Sequence, residues 1–367
     1  MKKTNLFEFT YSDSHLEFIK GVGHLKLDEE NHYKNGFAAG TIFSKAHFRI
    51  IDLLKNPILK IILTLLYLKY KNRLETIRFP QEYHDELRGY ADSTKIPFKH
   101  LLLLNLIYEI VGCSSFAFFN KDGSLLVGHN TDEREYMAGF IFRYIKPLVF
   151  CVKIPGKEIF THISGPLFVG ALNGFNESGI VIASHYVDGA HKKVVEKNFS
   201  TGCFARTILE NASDLKIVRE IAENDFTYMP ANFLVVSFRE KKITTLEVYP
   251  SDHNFSILSD HKAMMTNHFQ SSRMRQYHQS IFKGSLARFA CFEKIFSGKD
   301  NLSVLEAISV MKNHRNGLRR HDTGFSITNA GTFQSFVFAL PRGDTYISNG
   351  EKLPVSLYGE LIKITSS

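Results

Sequence analysis

The sequence changes texture after Gly112, and that change limits the folds open to the chain. Before it lie apolar runs at helical spacing. "KAHFRIIDLLKNPILKIILTLLYLKYKNRLETI" carries Pro57 as the expected break. "PQEYHDELRGYADST" has Pro80 at a first-turn position, and "PFKHLLLLNLIYEIVG" is an apolar helix that Gly112 is expected to end. A short β-rich opening, "HLEFIKGVGHLKL", precedes them. After Gly112 come short β-type runs such as "CSSFAFF", "SLLVGHN", "PLVFCVKIP" and "IVIASHYV", separated by Gly, Asp, Asn and Pro. Asp122-Gly123 is a strong hairpin signal. Helices return at "FARTILENASDLKIVREIAEN" and "SLARFACFEKIFSG", and strands at "NFLVVSFREKKITTLEVYP" and "TFQSFVFALPRGDTYIS". Blocks of this kind predict packed α and β layers rather than a doubly wound βαβ fold.

A chain of 367 residues holds two or three small domains or one large two-layer domain. Its net charge of +8 mildly favours anionic partners or a membrane surface, but no Lys/Arg run is dense enough to predict a nucleic-acid partner. The cysteines at 113, 151, 203 and 291 form no CxxC pair and no disulfide framework. The histidines lack HExxH spacing and the glycines form no phosphate loop, so no metal and no cofactor is expected. No apolar core follows the two lysines at the N-terminus, so no signal peptide is read and a cytoplasmic location is expected. From Lys45 to Arg78, eight basic residues face only Asp52 and Glu75. The apolar stretch inside this region is too short to span a bilayer. It is either a core helix with a solvated basic face, the favoured reading, or an interfacial helix on anionic lipid.

A lone cysteine before two serines is by default a buried structural residue. Two strands joined at Asp122-Gly123, however, bring Cys113 beside His129 and Asp132, so a thiol, an imidazole and a carboxylate share one end of a sheet. Asp132 could equally cap a turn in "NTD", and Asn232 taken alone is an ordinary strand-entry residue. His268 in "TNHF" is better read as structural than as a base. Arg206 and Arg273 could meet a carboxylate or phosphate, with packing or surface roles favoured.

Several stretches, in order from about residue 85 to 350, carry a resemblance to a known family. They are "ELRGYADSTKIPFKHLLLLNLIYEIVGCSSF", "DGSLLVGHNTD", "VGALNGFNESGIVIASH", "PANFLVVS" with "TLEVYP", "TNHF", and "TFQSFVFALPRGDTYISNG". Together they resemble the cysteine N-terminal nucleophile hydrolases. The match is strongest to the penicillin acyltransferase branch, peptidase family C45, which is related to the choloylglycine hydrolases and N-acylethanolamine acid amidase.

The resemblance implies an α+β fold, a four-layer αββα sandwich of two antiparallel sheets between helical layers. It implies self-cleavage between Gly112 and Cys113. Residues 1–112 would form a helical pro-segment or α subunit that stays bound, and residues 113–367 the catalytic β subunit. Cys113 would be the nucleophile, its freed α-amine the base, and Asp132 the residue that orients that amine. Asn232 would stabilise the oxyanion by its side chain and Asn176 by its backbone N–H. His129 stands where the amidases have Arg; Thr332 and Ser335 fall where the acyltransferases carry a serine needed for processing. The implied partner is a small N-acyl amide or acyl donor, possibly fatty-acyl, which is hydrolysed or whose acyl group is transferred through a Cys113 thioester. The alternative is a non-catalytic lipid- or membrane-surface-binding protein on the same scaffold, touching a membrane through residues 45–78.

Overall fold

The computed structural model describes residues 8–107, 112–133, 135–187, 190, 198–317 and 324–365. The chain opens with a three-stranded meander: β1 (Glu8–Tyr11), β2 (Ser14–Ile19) and β3 (Val22–Asp28). Five helices follow: α1 (His32–Lys45), α2 (Arg49–Lys55), α3 (Pro57–Leu74), α4 (Gln81–Thr94) and α5 (Phe98–Ile107). The hairpin β4 (Gly112–Phe119) and β5 (Leu125–Asp132) leads to α6 (Glu135–Tyr144). Then come β6 (Leu148–Lys153), β7 (Phe160–Ser164), β8 (Asn173–Asn176) and β9 (Ile180–Tyr186). Helices α7 (Thr201–Asn211) and α8 (Leu215–Asn224) precede β10 (Ala231–Ser237), β11 (Lys242–Tyr249), β12 (Asp252–Leu258) and β13 (Lys262–Met265). The last stretch comprises α9 (Ser272–Arg275), α10 (Lys283–Phe296), α11 (Val304–Met311), β14 (Thr332–Leu340), β15 (Asp344–Asn349), α12 (Val355–Tyr358) and β16 (Glu360–Thr365).

The strands form two sheets. One has ten strands in the order β1-β2-β3-β6-β7-β8-β9-β10-β11-β12, the other six in the order β13-β4-β5-β14-β15-β16. Every described pairing is antiparallel except β3 with β6. Alternation along the strands sets the layers. Ala117, Leu125, Val127, Phe336 and Phe338 of the small sheet meet Val149, Val181, Ala183, Leu234 and Val236 of the large one in a shared core. The outer face of the large sheet packs on α1, α4, α5, α7 and α8 through residues such as Phe43, Tyr90, Leu101, Phe204 and Val218. The outer face of the small sheet packs on α10 and α11 through Phe116, Phe118, Phe292 and Ile308. The expected αββα sandwich is what the chain forms.

Pro57 does separate two helices, α2 and α3, and Pro80 immediately precedes α4. Gly112 is the first residue of β4, and the expected end of the preceding helix lies at residues 108–111, outside the described residues. The backbone there is ordinary extended strand, and a Cβ would lie 3.4 Å from the Asp132 carbonyl oxygen. Backbone strain therefore does not demand glycine at 112. The segment before Cys113 is not a separable domain either, since β3 is an internal strand of the large sheet.

Candidate active site

Pairing of β4 with β5 sets Gly112 opposite Asp132 and Cys113 opposite Thr131. Pairing of β5 with β14 then sets Thr332 opposite Asp132 and Gln334 opposite Thr131. Side-chain alternation sorts these residues to two faces of the small sheet. Cys113, Thr131 and Gln334 point toward the large sheet, in phase with Ala117, Val127 and Phe336. The Thr131 hydroxyl donates to Gln334 Oε1 at 2.8 Å and also hydrogen-bonds the thiol. Cys113 is almost fully buried. Burial pushes its thiol well above the ordinary range; Asp132 adds to the rise, and Arg288 opposes it.

On the other face sits Asp132. Its Oδ1 accepts the Thr332 hydroxyl at 2.5 Å, its Oδ2 lies 3.7 Å from Arg288 Nη1, and the Asn329 side chain also interacts with the carboxylate. Burial raises its carboxyl to about 6, although Arg288 and Thr332 pull downward.

Two residues that the sequence reading missed hold the Cys113 backbone. Its N–H donates to Asn267 Oδ1 at 3.1 Å, and its carbonyl accepts Arg288 Nη1 at 2.6 Å. Arg288 also donates to Ser114 Oγ at 2.8 Å and to Asn267 Oδ1 at 2.7 Å. Asn267 Nδ2 donates to the Tyr186 carbonyl at 2.7 Å. With two donors arriving at Oδ1 and a carbonyl facing Nδ2, the amide has only one satisfactory orientation. Burial lowers the affinity of Arg288 for its proton, but an arginine stays charged at any ordinary pH.

Both residues left a trace in the sequence. Asn267 stands in "TNHF", where His268 drew attention instead. His268 bonds Ser285 Oγ at 2.8 Å, and burial drops it to about 4. Arg288 falls on the buried stripe of α10, in phase with Gly284, Phe292 and Phe296. A charged residue inside an apolar stripe needs a partner in the interior.

Two expected oxyanion donors are corrected by their positions. Asn176 closes β8 at the end of β9 that begins with Ile180, whereas Asn267 bonds Tyr186 at the other end of that strand. Asn176 Nδ2 instead caps α7 at the Leu209 and Ala212 carbonyls, at 3.1 and 2.7 Å, and its Oδ1 accepts from Ile180 N. Asn232 gives its Nδ2 to the carbonyls of Thr266 and His268, at 3.3 and 2.7 Å. These residues flank Asn267, so Asn232 holds the segment that carries Asn267, and its Nδ2 is spent on those two carbonyls.

His129 faces the inter-sheet core opposite Ser115, with no hydrogen-bond partner on either ring nitrogen. It stacks on Phe336 at 5.2 Å, and burial drops it to about 3, so it is neutral and clamps no carboxylate. Ser335 lies opposite Asn130, off the Cys113–Thr131 row. Arg206 is buried in a separate ion network, and Arg273 pairs with Asp252 at 2.6 Å on the surface. No group of three or more His, Cys, Asp or Glu side chains is arranged to hold a metal ion among the described residues.

Comparison with known proteins gives a consistent picture. A family model described as acyl-coenzyme A:6-aminopenicillanic acid acyl-transferase matches residues 118–340. That span contains Asp132, Asn267, Arg288 and Thr332 and begins just beyond Cys113. Acid ceramidase of Bos taurus is 25% identical over 202 residues, 47% of this chain and 51% of that protein. Acid ceramidase of Heterocephalus glaber is 25% identical over 257 residues, 57% and 63% of the two chains. The chain thus spans about half to three fifths of the length of these curated relatives. Among solved structures, a Caenorhabditis elegans N-acylethanolamine-hydrolyzing acid amidase ortholog aligns with a TM-score of 0.45 at 15% identity, covering 63% of this chain and 95% of that one. Penicillin V acylase from Agrobacterium tumefaciens aligns with a TM-score of 0.43 at 12% identity, covering 69% and 86%.

Proposed function

Since the chain belongs to the acyl-coenzyme A:6-aminopenicillanic acid acyltransferase family, we propose that it is a self-processing cysteine N-terminal nucleophile enzyme. It hydrolyses a non-peptide N-acyl amide or transfers its acyl group. The observation that carries this reading is the setting of one nitrogen. The backbone N of Cys113 is held by Asn267 Oδ1, and the strand beside it presents the buried Asp132 carboxylate opposite Gly112.

Processing begins with attack of Cys113 Sγ on the Gly112 carbonyl carbon. The C–N bond breaks, the Cys113 nitrogen takes up the thiol proton, and Gly112 is left as a thioester. Water then cleaves the thioester, leaving a Gly112 carboxylate and a free thiol. The new α-amine has more hydrogens than the amide it replaces, and Asp132 Oδ2 is the acceptor for them. With an ordinary pKa of about 7.7–8.0, this amine can act as base for its own thiol. In the second cycle Sγ attacks the substrate carbonyl and the amine leaves with the proton. Water or an acceptor amine resolves the resulting acyl thioester. The Arg288 guanidinium is the charge-stabilising group at this centre, and Asn267 Oδ1 holds the Cys113 nitrogen.

The relatives named acid ceramidase favour a substrate with a fatty-acyl chain on nitrogen. The two fragments remain together because β3 stays paired with β6 and Arg206 of α7 stays bonded to Glu86 of α4. Intact mass spectrometry tests the reading. Wild-type protein is expected as fragments of 112 and 255 residues (367 − 112), the second beginning with Cys. Cys113→Ala is expected as one uncut chain, inactive on a panel of N-acyl amides with and without acceptor amines. A wild type that stays whole and inert ends the proposal.

A further inference from the structure

Helix α3 is oriented the wrong way round for a water-soluble surface. An amphipathic helix normally buries its apolar stripe. Here Ile58, Ile61, Ile62, Leu65 and Leu68, at spacings of three and four residues, are 69, 63, 47, 61 and 61% exposed. The side that packs on the body is the thinner one, through Leu59 and Leu63, with Thr64 bonded to His100 at 3.0 Å. Exposed apolar stripes of this length mark a surface that is covered by something.

The charge around the stripe identifies the cover. Lys55, Lys69 and Lys71 are exposed and Lys60 half-buried along the same helix and its approach, against Asp52 and Glu75 alone. At the other end of α2, which packs on α6, opens a cleft of about 1200 Å³. Its charged lining includes Arg49, Arg143, Lys146 and Lys352 against Glu351. Phe140 on α6 is a further exposed apolar side chain, at 47%. A second copy of this chain would bring like charge onto like charge, whereas an anionic lipid surface satisfies both features. Isoleucine and leucine enter the acyl boundary while lysine stems reach back to the headgroups. Helix α3 is about 27 Å long at 1.5 Å per residue. Among the described residues no helix is long and apolar enough to cross a membrane, so the contact lies in the interface.

We propose that α3 and the adjoining basic cleft form a docking face for an anionic lipid surface. The proposal stands independently of the chemistry assigned to Cys113. Its test is co-sedimentation of the full chain with phosphatidylglycerol–phosphatidylcholine vesicles, compared with phosphatidylcholine alone. Wild type is expected on the mixed vesicles and to be released by high salt. Ile61→Ser/Leu65→Ser/Leu68→Ser should bind them about tenfold or more weakly, given three apolar side chains withdrawn from the interface. Lys60→Glu/Lys69→Glu should lose the preference for anionic lipid. All five positions lie outside the Cys113 site, so turnover of a soluble amide should be unchanged in both variants. An unaltered melting temperature shows that the variants fold, and single Leu65→Ser serves if the triple does not. Absence of wild-type binding, or binding that the triple variant retains, overturns the proposal. So does a wild-type dimer that the triple variant converts to monomer without any effect of lipid.

Discussion

Two buried arginines, one on each side of the molecule, are wired in opposite ways. Arg206, outside the large sheet, is saturated with negative charge. It meets Glu86 through two bonds of 2.9 and 2.7 Å and Glu210 at 2.7 Å, and a fourth donor goes to the Val169 carbonyl. Despite burial, these carboxylates hold it well above its ordinary value. Arg288, outside the small sheet, has no carboxylate nearer than 3.7 Å and spends its donors on a carbonyl, a hydroxyl and an amide around Cys113. A fully compensated cation joins two helices and does nothing further. One with a single carboxylate at 3.7 Å, bonded to the backbone carbonyl of Cys113, keeps positive charge beside the thiol-bearing residue, where acyl transfer would create negative charge. The same residue type at the same depth is structural at one site and, under the proposed function, chemical at the other, and the number of carboxylates beside each separates them.

The sharpest break of this comparison is Arg288→Met. If the Arg288 charge serves the reaction, processing and turnover should fall about 10²–10³-fold, and Asn267→Ala, which releases the Cys113 N–H, should slow processing too. Single-turnover rates on folded protein would show it, and a change in stability alone would erase the distinction drawn here. Arg206→Met leaves Glu86 and Glu210 buried without their cation. It should cost about 3–5 kcal/mol in urea unfolding while the rate per folded molecule holds.

The two sites should also differ in the sign of their pH dependence, measured on the uncut Cys113→Ala chain. Asp132 is raised from its ordinary 3.8 to about 6 when folded, so its contribution is present below 3.8 and lost as pH rises through about 6. For Glu210 burial works upward, but Arg206 and His32 pull it from 4.5 to about 2. Its contribution is therefore present above 4.5 and lost as pH falls through about 2. Adding Asp132→Asn should flatten only the upper window in a series of urea midpoints. The smallest effects separate the two corrected asparagines. Asn176→Ala should cost about 1 kcal/mol with normal kinetics, as expected of a lost cap. Asn232→Ala, by loosening the Thr266–His268 segment, should slow turnover while melting shifts little.

The architecture was largely legible because it rests on periodicity. Short alternating runs after Gly112, the Asp122-Gly123 turn and the helical blocks around them lead to packed α and β layers through local rules alone, and the family resemblance supplied two sheets between helices. Cys113 and Asp132 were legible too, because a single hairpin joins them and antiparallel pairing does the rest. Thr332 also came from the family resemblance, and the register sets it opposite Asp132. Asn176 and Asn232 went astray for different reasons. β8 sets the Asn176 backbone at the end of β9 away from Asn267, and the role of the Asn232 side chain depends on the carbonyls that face its amide, which flank Asn267.

Local sequence thus decided the secondary elements and the strand that carries Cys113, which follow from spacings of a few residues. Tertiary packing alone chose Arg288 and Asn267, which approach Cys113 from 175 and 154 residues away. It also turned the apolar stripe of α3 to the outside. Periodicity marks that a helix has an apolar face, but only the competing surfaces of the folded body determine which way that face turns.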